Sequence, residues 1–87
     1  VLPDADLDQV VNDLTGAAFG SAGERCMALP VVVPVGADTA DALREKLLPA
    51  IASLKVGIST DPDAHYGPVV TQAHKERVEN YIQMGVD

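Results

Sequence analysis

The chain has 87 residues, of which 47% are apolar and 22% charged, and its formal net charge at pH 7 is −7. This length allows at most one small domain, and the composition is that of a globular protein, not a disordered one. The acidic balance argues against nucleic acid and anionic membranes as partners, and no apolar run is long enough to span a bilayer. The chain has 3% aromatic residues, one cysteine and no starting methionine. A self-contained domain this small usually needs more large buried side chains or a disulfide, so we expect a piece of a larger protein.

The first predicted element is a helix that begins near Asp6. Asp6 and Gln9 have the spacing of a capping box, in which the aspartate carboxylate accepts hydrogen bonds from the first-turn amides. Apolar residues then recur at helical spacing on one face. We expect the helix to end at the glycine-rich turn of residues 20–23.

A strand is predicted next, over Leu29–Gly36. Its run of valines without alternation is typical of a strand buried on both faces of a parallel sheet. Pro34 cannot donate to a ladder, so it should lie at the strand end or on an unpaired side. One strand cannot make a sheet, so its neighbours are expected outside this chain.

Two further helices are predicted in the second half. One should start after Asp38 or Thr39, and Pro49 should kink or split it. The other should be capped by Thr71, with Gly85 just past its end. Between them, residues 55–70 carry the turn chemistry of a connection. The order helix, cysteine loop, strand, helix, loop, helix indicates part of an α/β layer fold.

Cys26 is the residue best placed for chemistry. It follows a glycine-rich turn at the edge of an apolar strand, and Arg25 supplies an adjacent positive charge that favours the reactive thiolate. The alternative is a small buried apolar residue, because free cysteine is among the most buried residue types. No partner histidine can be assigned to it from the sequence.

The other polar candidates favour structural explanations. His65 and His74 have no cysteine or aspartate partner at ligand spacing, so we expect solvated histidines and no metal site. Asp61 and Asp63 are typical of turns and lack the glycine and glutamate of a calcium loop. The turn at residues 20–23 lacks the Lys-Ser/Thr pair of a phosphate-binding loop.

The segment Phe19–Ala28, Phe-Gly-Ser-Ala-Gly-Glu-Arg-Cys-Met-Ala, resembles the active-site cysteine signature of the NAD(P)-dependent aldehyde dehydrogenase superfamily. Further segments resemble the same family in order and at the expected spacing: Val1–Asp8, Val33–Gly36, Asp61–Asp63 and Gly67–Val69. Within the superfamily, Gly-Ser-Ala-Gly-Glu-Arg-Cys-Met-Ala is similar to the methylmalonate-semialdehyde (malonate-semialdehyde) dehydrogenases. Pro30 departs from the usual pattern but falls on no expected chemical role.

This resemblance implies a fold and an activity. The chain would be part of a three-layer α/β catalytic domain, with the NAD-binding domain outside residues 1–87. Cys26 would attack the aldehyde carbon to give a thiohemiacetal, which loses a hydride to NAD and becomes a thioester on Cys26. Coenzyme A would then resolve this thioester as acetyl- or propionyl-coenzyme A, with loss of carbon dioxide along the way. The cysteine's backbone amide and an asparagine upstream of Val1 would stabilise the oxyanion.

The resemblance also suggests roles for the three residues before the cysteine. Arg25 would grip the substrate carboxylate; the alternative is a surface arginine paired with Glu24 or another acid. Glu24 and Gly23 would line the nicotinamide pocket, although a structural hydrogen bond from Glu24 to the loop is also open. No metal is implied.

The expected parent is therefore an NAD-dependent, coenzyme A-acylating homo-oligomer in the cytoplasm or the mitochondrial matrix, acting in valine catabolism. Its partners would be a small semialdehyde and the rest of its own polypeptide. A hydrolytic dehydrogenase of the same superfamily is the first alternative. A non-catalytic structural or interaction module is the second. We expect residues 1–87 alone to be inactive and poorly folded.

Overall fold

Three α-helices form the regular structure of the computed structural model, which describes residues 1–87. Helix α1 spans Leu7–Phe19, α2 spans Ala37–Ala52 and α3 spans Gln72–Val86. A short turn, Gly20–Gly23, follows α1 directly. None of the helices combines the length and the apolar character needed to cross a membrane.

Helix α1 begins where the capping residues predict. The Asp6 carboxylate accepts hydrogen bonds from the backbone N–H groups of Asp8 at 3.1 Å and Gln9 at 3.2 Å. These two amides would otherwise have no partner inside the helix. The helix ends at the glycine turn, where the N–H of Gly20 donates to the carbonyl of Gly16. Both predicted ends of α1 are confirmed.

The core lies between α1 and α2 and is small. Leu43 is the one large apolar side chain that is buried, with 3% of its surface exposed. At the edge of this contact Lys46 Nζ lies 2.6 Å from Asp8 Oδ1, and this hydrogen bond raises the pKa of Lys46. An apolar cavity of about 160 Å³ lies beside the core, lined by residues of α1, α2 and the segment after the cysteine.

The predicted strand over Leu29–Gly36 is wrong for this chain. These residues have no regular secondary structure. The Leu29 N–H donates to the Ala17 carbonyl at 3.3 Å. The valine run pairs only with Val1, whose amino group donates to the Val33 carbonyl at 2.9 Å and whose carbonyl accepts from the Val35 N–H at 2.9 Å. A strand needs a neighbour along its length, and one residue cannot provide it. The chain shows only the helical part of the expected α/β arrangement.

Helix α2 differs from the prediction at its start and at Pro49. It begins at Ala37, after Gly36 with φ 92°, because glycine reaches the left-handed region without steric cost. Pro49 does not split the helix, which continues to Ala52. Pro49 lies in the last turn, where the missing N–H removes one bond and its carbonyl still accepts from the Ser53 N–H at 3.1 Å.

Helix α3 begins at its predicted cap and ends later than predicted. The Thr71 hydroxyl accepts from the His74 N–H at 3.1 Å, which confirms the cap. Gly85 lies inside the helix, because the N–H of Asp87 still donates to the Gln83 carbonyl at 3.0 Å and continues the helical bonding. Helix α3 does not pack against α1 or α2, so its position depends on contacts with loops.

The connection between α2 and α3 is organised by Asp61. Its carboxylate accepts from the Asp63 N–H at 2.9 Å and lies 3.1 Å from Lys55 Nζ. These two donors, the backbone N–H first, lower the pKa of Asp61. The predicted turn role of Asp61 is confirmed. His65 is not simply solvated, because its ring Nδ1 accepts from the Lys55 N–H at 2.9 Å.

Candidate active site

The turn before the cysteine has an uncommon backbone. Ser21, Ala22 and Gly23 have φ angles of 54°, 56° and 77°, all in the left-handed region. For residues that carry a Cβ this conformation costs about 1–2 kcal/mol each. The N–H of Glu24 donates to the Ser21 carbonyl at 3.0 Å and closes the turn. Strained backbone of this kind is concentrated at functional sites, which directs attention to the residues that follow.

Cys26 occupies the first central position of the next turn. This turn is closed by a 3.2 Å hydrogen bond from the Ala28 N–H to the Arg25 carbonyl. The cysteine is free and exposed, so the alternative of a small buried apolar residue is wrong for this chain. Its backbone N–H donates to no acceptor in the chain. The turn therefore offers a nucleophilic sulfur and an unused amide donor on the same residue.

Arg25 is seated against the end of α1. A Cβ built on Gly20 would lie 2.6–2.7 Å from three atoms of the Arg25 guanidinium, so this position is open to the arginine because residue 20 has no side chain. The guanidinium lines a cavity of about 220 Å³ together with residues of α1 and of the connection, among them Asn12, His65 and Tyr66.

No carboxylate of the chain lies within ion-pair distance of Arg25, since the ion pairs involve other residues. The alternative that Arg25 pairs with Glu24 or another acid is therefore wrong for this chain. A guanidinium without a carboxylate partner is free to bind an anion. Cys26 does not line the Arg25 cavity, so the thiol and the guanidinium do not share one enclosed space within residues 1–87.

Glu24 contacts α3 instead. Its Oε2 lies 3.7 Å from His74 Nε2, and Arg77 Nη2 lies 2.8 Å from His74 Nδ1. The expectation of a solvated His74 is wrong, because the ring lies between these two side chains and only 30% of the His74 side chain is exposed. Sequence reasoning missed His74 and Arg77, since no local motif connects them with the cysteine loop.

The structure thus groups the four residues predicted for the site, Gly23, Glu24, Arg25 and Cys26, in one exposed loop, but it directs their side chains differently. Glu24 faces α3, Arg25 faces the end of α1, and Cys26 faces solvent. No cluster of three or more histidine, cysteine, aspartate or glutamate side chains is placed to hold a metal ion. This loop offers a sulfur that can act as a nucleophile and an unengaged amide donor on the same residue.

Comparison with known proteins gives this loop its context. The model of the aldehyde dehydrogenase family matches residues 1–87. A malonate-semialdehyde dehydrogenase of Halalkalibacterium halodurans is 52% identical over 85 residues, which are 98% of this chain and 17% of that protein. One of Pseudomonas aeruginosa is 52% identical over 86 residues, 99% of this chain and 17% of that protein. The chain thus spans about a sixth of the length of these relatives.

Solved structures agree with the sequence comparison. A protein of Sinorhizobium meliloti 1021 assigned as a methylmalonate-semialdehyde dehydrogenase, in complex with NAD, superposes with a TM-score of 0.92 at 53% identity and covers 98% of this chain and 17% of its own. The methylmalonate-semialdehyde dehydrogenase of Oceanimonas doudoroffii superposes with a TM-score of 0.86 at 58% identity, over 94% of this chain and 17% of its own. The arrangement of helices and cysteine loop described above is therefore shared with much longer proteins.

Proposed function

The chain belongs to the aldehyde dehydrogenase family, and we propose that its parent protein oxidises malonate or methylmalonate semialdehyde with NAD and transfers the acyl group to coenzyme A. The observation that carries the catalytic part of this proposal is the exposed Cys26, placed after a strained turn with its own amide unengaged. The names of the relatives support the substrate class.

Cys26 acts as the nucleophile in this proposal. Its thiolate attacks the aldehyde carbon, a carbon–sulfur bond forms, and the carbonyl oxygen becomes an alkoxide. Loss of hydride from that carbon then gives a thioester on Cys26. The covalent bond holds the reacting carbon in one place, so that each step is intramolecular. Exposure of the sulfur in this chain supports access by the substrate.

The alkoxide needs hydrogen-bond donors during this step. The Cys26 N–H is available, because it donates to no acceptor within residues 1–87. A donor fixed by the backbone before the reaction stabilises the developing charge without reorganisation, and loss of one such donor typically costs a factor of about 100–1,000 in kcat. We propose that this amide forms half of the oxyanion site and that the second donor lies outside this chain.

NAD accepts the hydride when it is bound. The cysteine loop fits its approach, because Ser21, Gly23 and Cys26 are all exposed and none has a bulky side chain. We propose that Gly23 and the backbone of Glu24 border the nicotinamide, while the Glu24 side chain faces α3. The chain has no glycine-rich dinucleotide-binding segment, so the residues that hold the rest of the cofactor lie outside it.

Arg25 binds the carboxylate of the semialdehyde in this proposal. Support comes from its guanidinium, which has no carboxylate partner and lines the cavity at the end of α1. Two parallel N–H donors match the two oxygens of a carboxylate.

Coenzyme A completes the cycle. When carbon dioxide leaves, the electron pair of the broken carbon–carbon bond forms a thioester enolate, whose α-carbon takes up a proton from solvent. The coenzyme A thiolate then attacks the thioester carbon and displaces the Cys26 thiolate, which releases acetyl-coenzyme A from the malonate substrate or propionyl-coenzyme A from the methylmalonate substrate. One NADH and one carbon dioxide form per acyl group. In the hydrolytic alternative water takes the place of coenzyme A, and the requirement for coenzyme A separates the two.

The test uses the full-length parent protein. NADH formation is measured with each semialdehyde, with and without coenzyme A, for the unaltered protein and for Cys26→Ala, Arg25→Ala and Thr60→Ala. Thr60 is exposed in the connection between α2 and α3 and serves as the matched control. We expect no turnover in Cys26→Ala, a raised KM in Arg25→Ala and unchanged kinetics in Thr60→Ala.

Each other outcome has a defined meaning. Turnover without coenzyme A would show a hydrolytic dehydrogenase. Full activity in Cys26→Ala would contradict the nucleophile. A protein that oxidises no aldehyde, and whose Cys26 is alkylated no faster than an ordinary thiol, would favour the structural or interaction module.

A further inference from the structure

We propose that His74 is a positioning residue for the cysteine loop, acting through Glu24. This inference rests on the proposed role of Cys26 as nucleophile. It starts from the contacts on α3, where the His74 ring lies between Arg77 Nη2 at 2.8 Å and Glu24 Oε2 at 3.7 Å. Glu24 is two residues before Cys26 in the chain.

The hydrogen-bonding partners determine which ring nitrogen carries the proton. Arginine has donors and no acceptor, so His74 Nδ1 must accept from Arg77. In the neutral ring the proton is then on Nε2, the atom that faces the Glu24 carboxylate. The N–H on Nε2 thus faces the negative carboxylate at a distance of 3.7 Å, which is longer than a hydrogen bond but short enough for attraction between the ring dipole and the carboxylate.

The two residues before Cys26 are held from two sides by this arrangement. The Arg25 guanidinium is seated against Gly20 at the end of α1, and the Glu24 carboxylate faces His74 on α3. The peptide units between them lead into the turn that carries the Cys26 amide. Because an oxyanion donor must be oriented before the reaction, a contact that fixes Glu24 affects the chemistry at Cys26.

Helix α3 makes no contact with α1 or α2 in this chain. The His74–Glu24 contact connects it with the cysteine loop. The superposition on the S. meliloti protein covers 98% of the chain with a TM-score of 0.92, so the backbone of α3 and of the cysteine loop follows that of a much longer chain.

The experiment uses four variants of the full-length protein and one control. His74→Leu removes both contacts. His74→Gln keeps one acceptor and one donor on the side chain. Glu24→Ala and the double variant with His74→Leu complete a double-mutant cycle. Lys75→Ala is the control on α3, since Lys75 pairs with Glu79 on its own helix at 2.7 Å.

Four quantities are measured: kcat and KM for the semialdehyde, the rate at which iodoacetamide alkylates Cys26, and the melting temperature. The alkylation is followed on the peptide that contains Cys26. We expect His74→Leu to lower kcat and the alkylation rate about fivefold, with KM nearly unchanged, which lies within the usual range for coupled residues. His74→Gln should recover most of both rates, and Lys75→Ala should change neither. In the Glu24→Ala background His74→Leu should have no further effect.

The proposal is overturned if the two substitutions act additively, if Gln recovers no more than Leu, or if the losses in rate only follow a fall in melting temperature. Alkylation of Cys26 needs no substrate, so it tests the position of the loop even if the semialdehydes prove to be wrong. Failure of the substrate assignment and failure of the His74 role therefore give different results.

Discussion

Residues 1–87 expressed alone should not unfold cooperatively, because too much of their surface is left uncovered. The exposed area is 6620 Å², whereas a compact monomer of this mass exposes about 4,900 Å². The radius of gyration is 14.5 Å, against about 12 Å for a compact chain of this length. Both measures describe a chain that is more open than a domain.

The missing burial is large compared with ordinary stability. Relative to an unfolded chain, this structure removes only about half of the surface from water, where about 60% is usual for this size. The shortfall of about 1,700 Å², at roughly 57% apolar area and about 25 cal/mol per Å², corresponds to about 25 kcal/mol. Even half of this value is comparable to the whole net stability of a domain, about 5–15 kcal/mol. The remaining polypeptide must therefore cover these residues.

Scanning calorimetry and urea titration by circular dichroism provide the assay. We expect a broad, weak transition for residues 1–87 and binding of a hydrophobic dye, with a cooperative transition for the full-length protein as the control. A sharp calorimetric transition of residues 1–87 with an enthalpy of about 60 kcal/mol, the value for a fully folded chain of this length, would refute the reasoning. It would show that residues 1–87 fold stably without burial of their exposed apolar residues by the rest of the protein.

Three further predictions apply to the full-length protein. Gly20→Ala places a Cβ 2.6 Å from the Arg25 side chain and should displace that side chain. We expect KM for the semialdehyde to rise several-fold in steady-state kinetics while the melting temperature changes little. An unchanged KM with a lowered melting temperature would contradict the proposed position of Arg25 against Gly20. Gly23→Ala, with φ 77° and the Ala18 carbonyl 3.3 Å from the new Cβ, should cost about 1–2 kcal/mol in urea unfolding, and no loss would contradict the strained turn. The pKa of Asp61 is lowered in the folded protein by hydrogen bonds from the Asp63 backbone N–H and from the Lys55 ammonium group. The ionised Asp61 carboxylate therefore stabilises the folded protein above its ordinary pKa of 3.8, and this stabilisation is lost as the pH falls below that value. Asp61→Asn should therefore have a lower urea midpoint than the unaltered protein at neutral pH, with the difference shrinking near pH ~3; a constant difference would contradict the linkage.

Local chemistry was enough to predict the helix starts that depend on a side-chain cap. Asp6 and Thr71 each accept from amides two or three residues ahead, and such contacts need no distant partner. The same holds for the turn at Asp61. Cys26 was singled out from the glycine-rich turn before it and from Arg25 beside it, but whether its side chain is buried or exposed was left open by the sequence and is decided by the structure.

Features that depend on the rest of the protein could not be predicted correctly from these residues alone. The valine run around Val33 has the composition of a buried strand, but Val1 is its only hydrogen-bonded neighbour in the chain, so no ladder forms. Pro49 was expected to kink or split α2, and the helix is not split, because Pro49 lies in the last turn, where the loss of one hydrogen bond is tolerable. Hydrophobic periodicity and secondary-structure propensity do not show which neighbours a segment has or where in a helix a proline falls.

The contacts that hold the cysteine loop also could not be predicted from the residues near it in the sequence. Nothing near Glu24 in the sequence indicates His74, because the two meet only through the path of the connection between α2 and α3. A loop whose backbone is strained at Ser21 and Ala22 relaxes unless its surroundings hold it. With a core as small as the one around Leu43, that constraint comes from anchors on α1 and α3 more than from packing beneath the loop. The geometry around Cys26 should therefore be more sensitive to changes at Gly20 and His74 than to changes in the α1–α2 core.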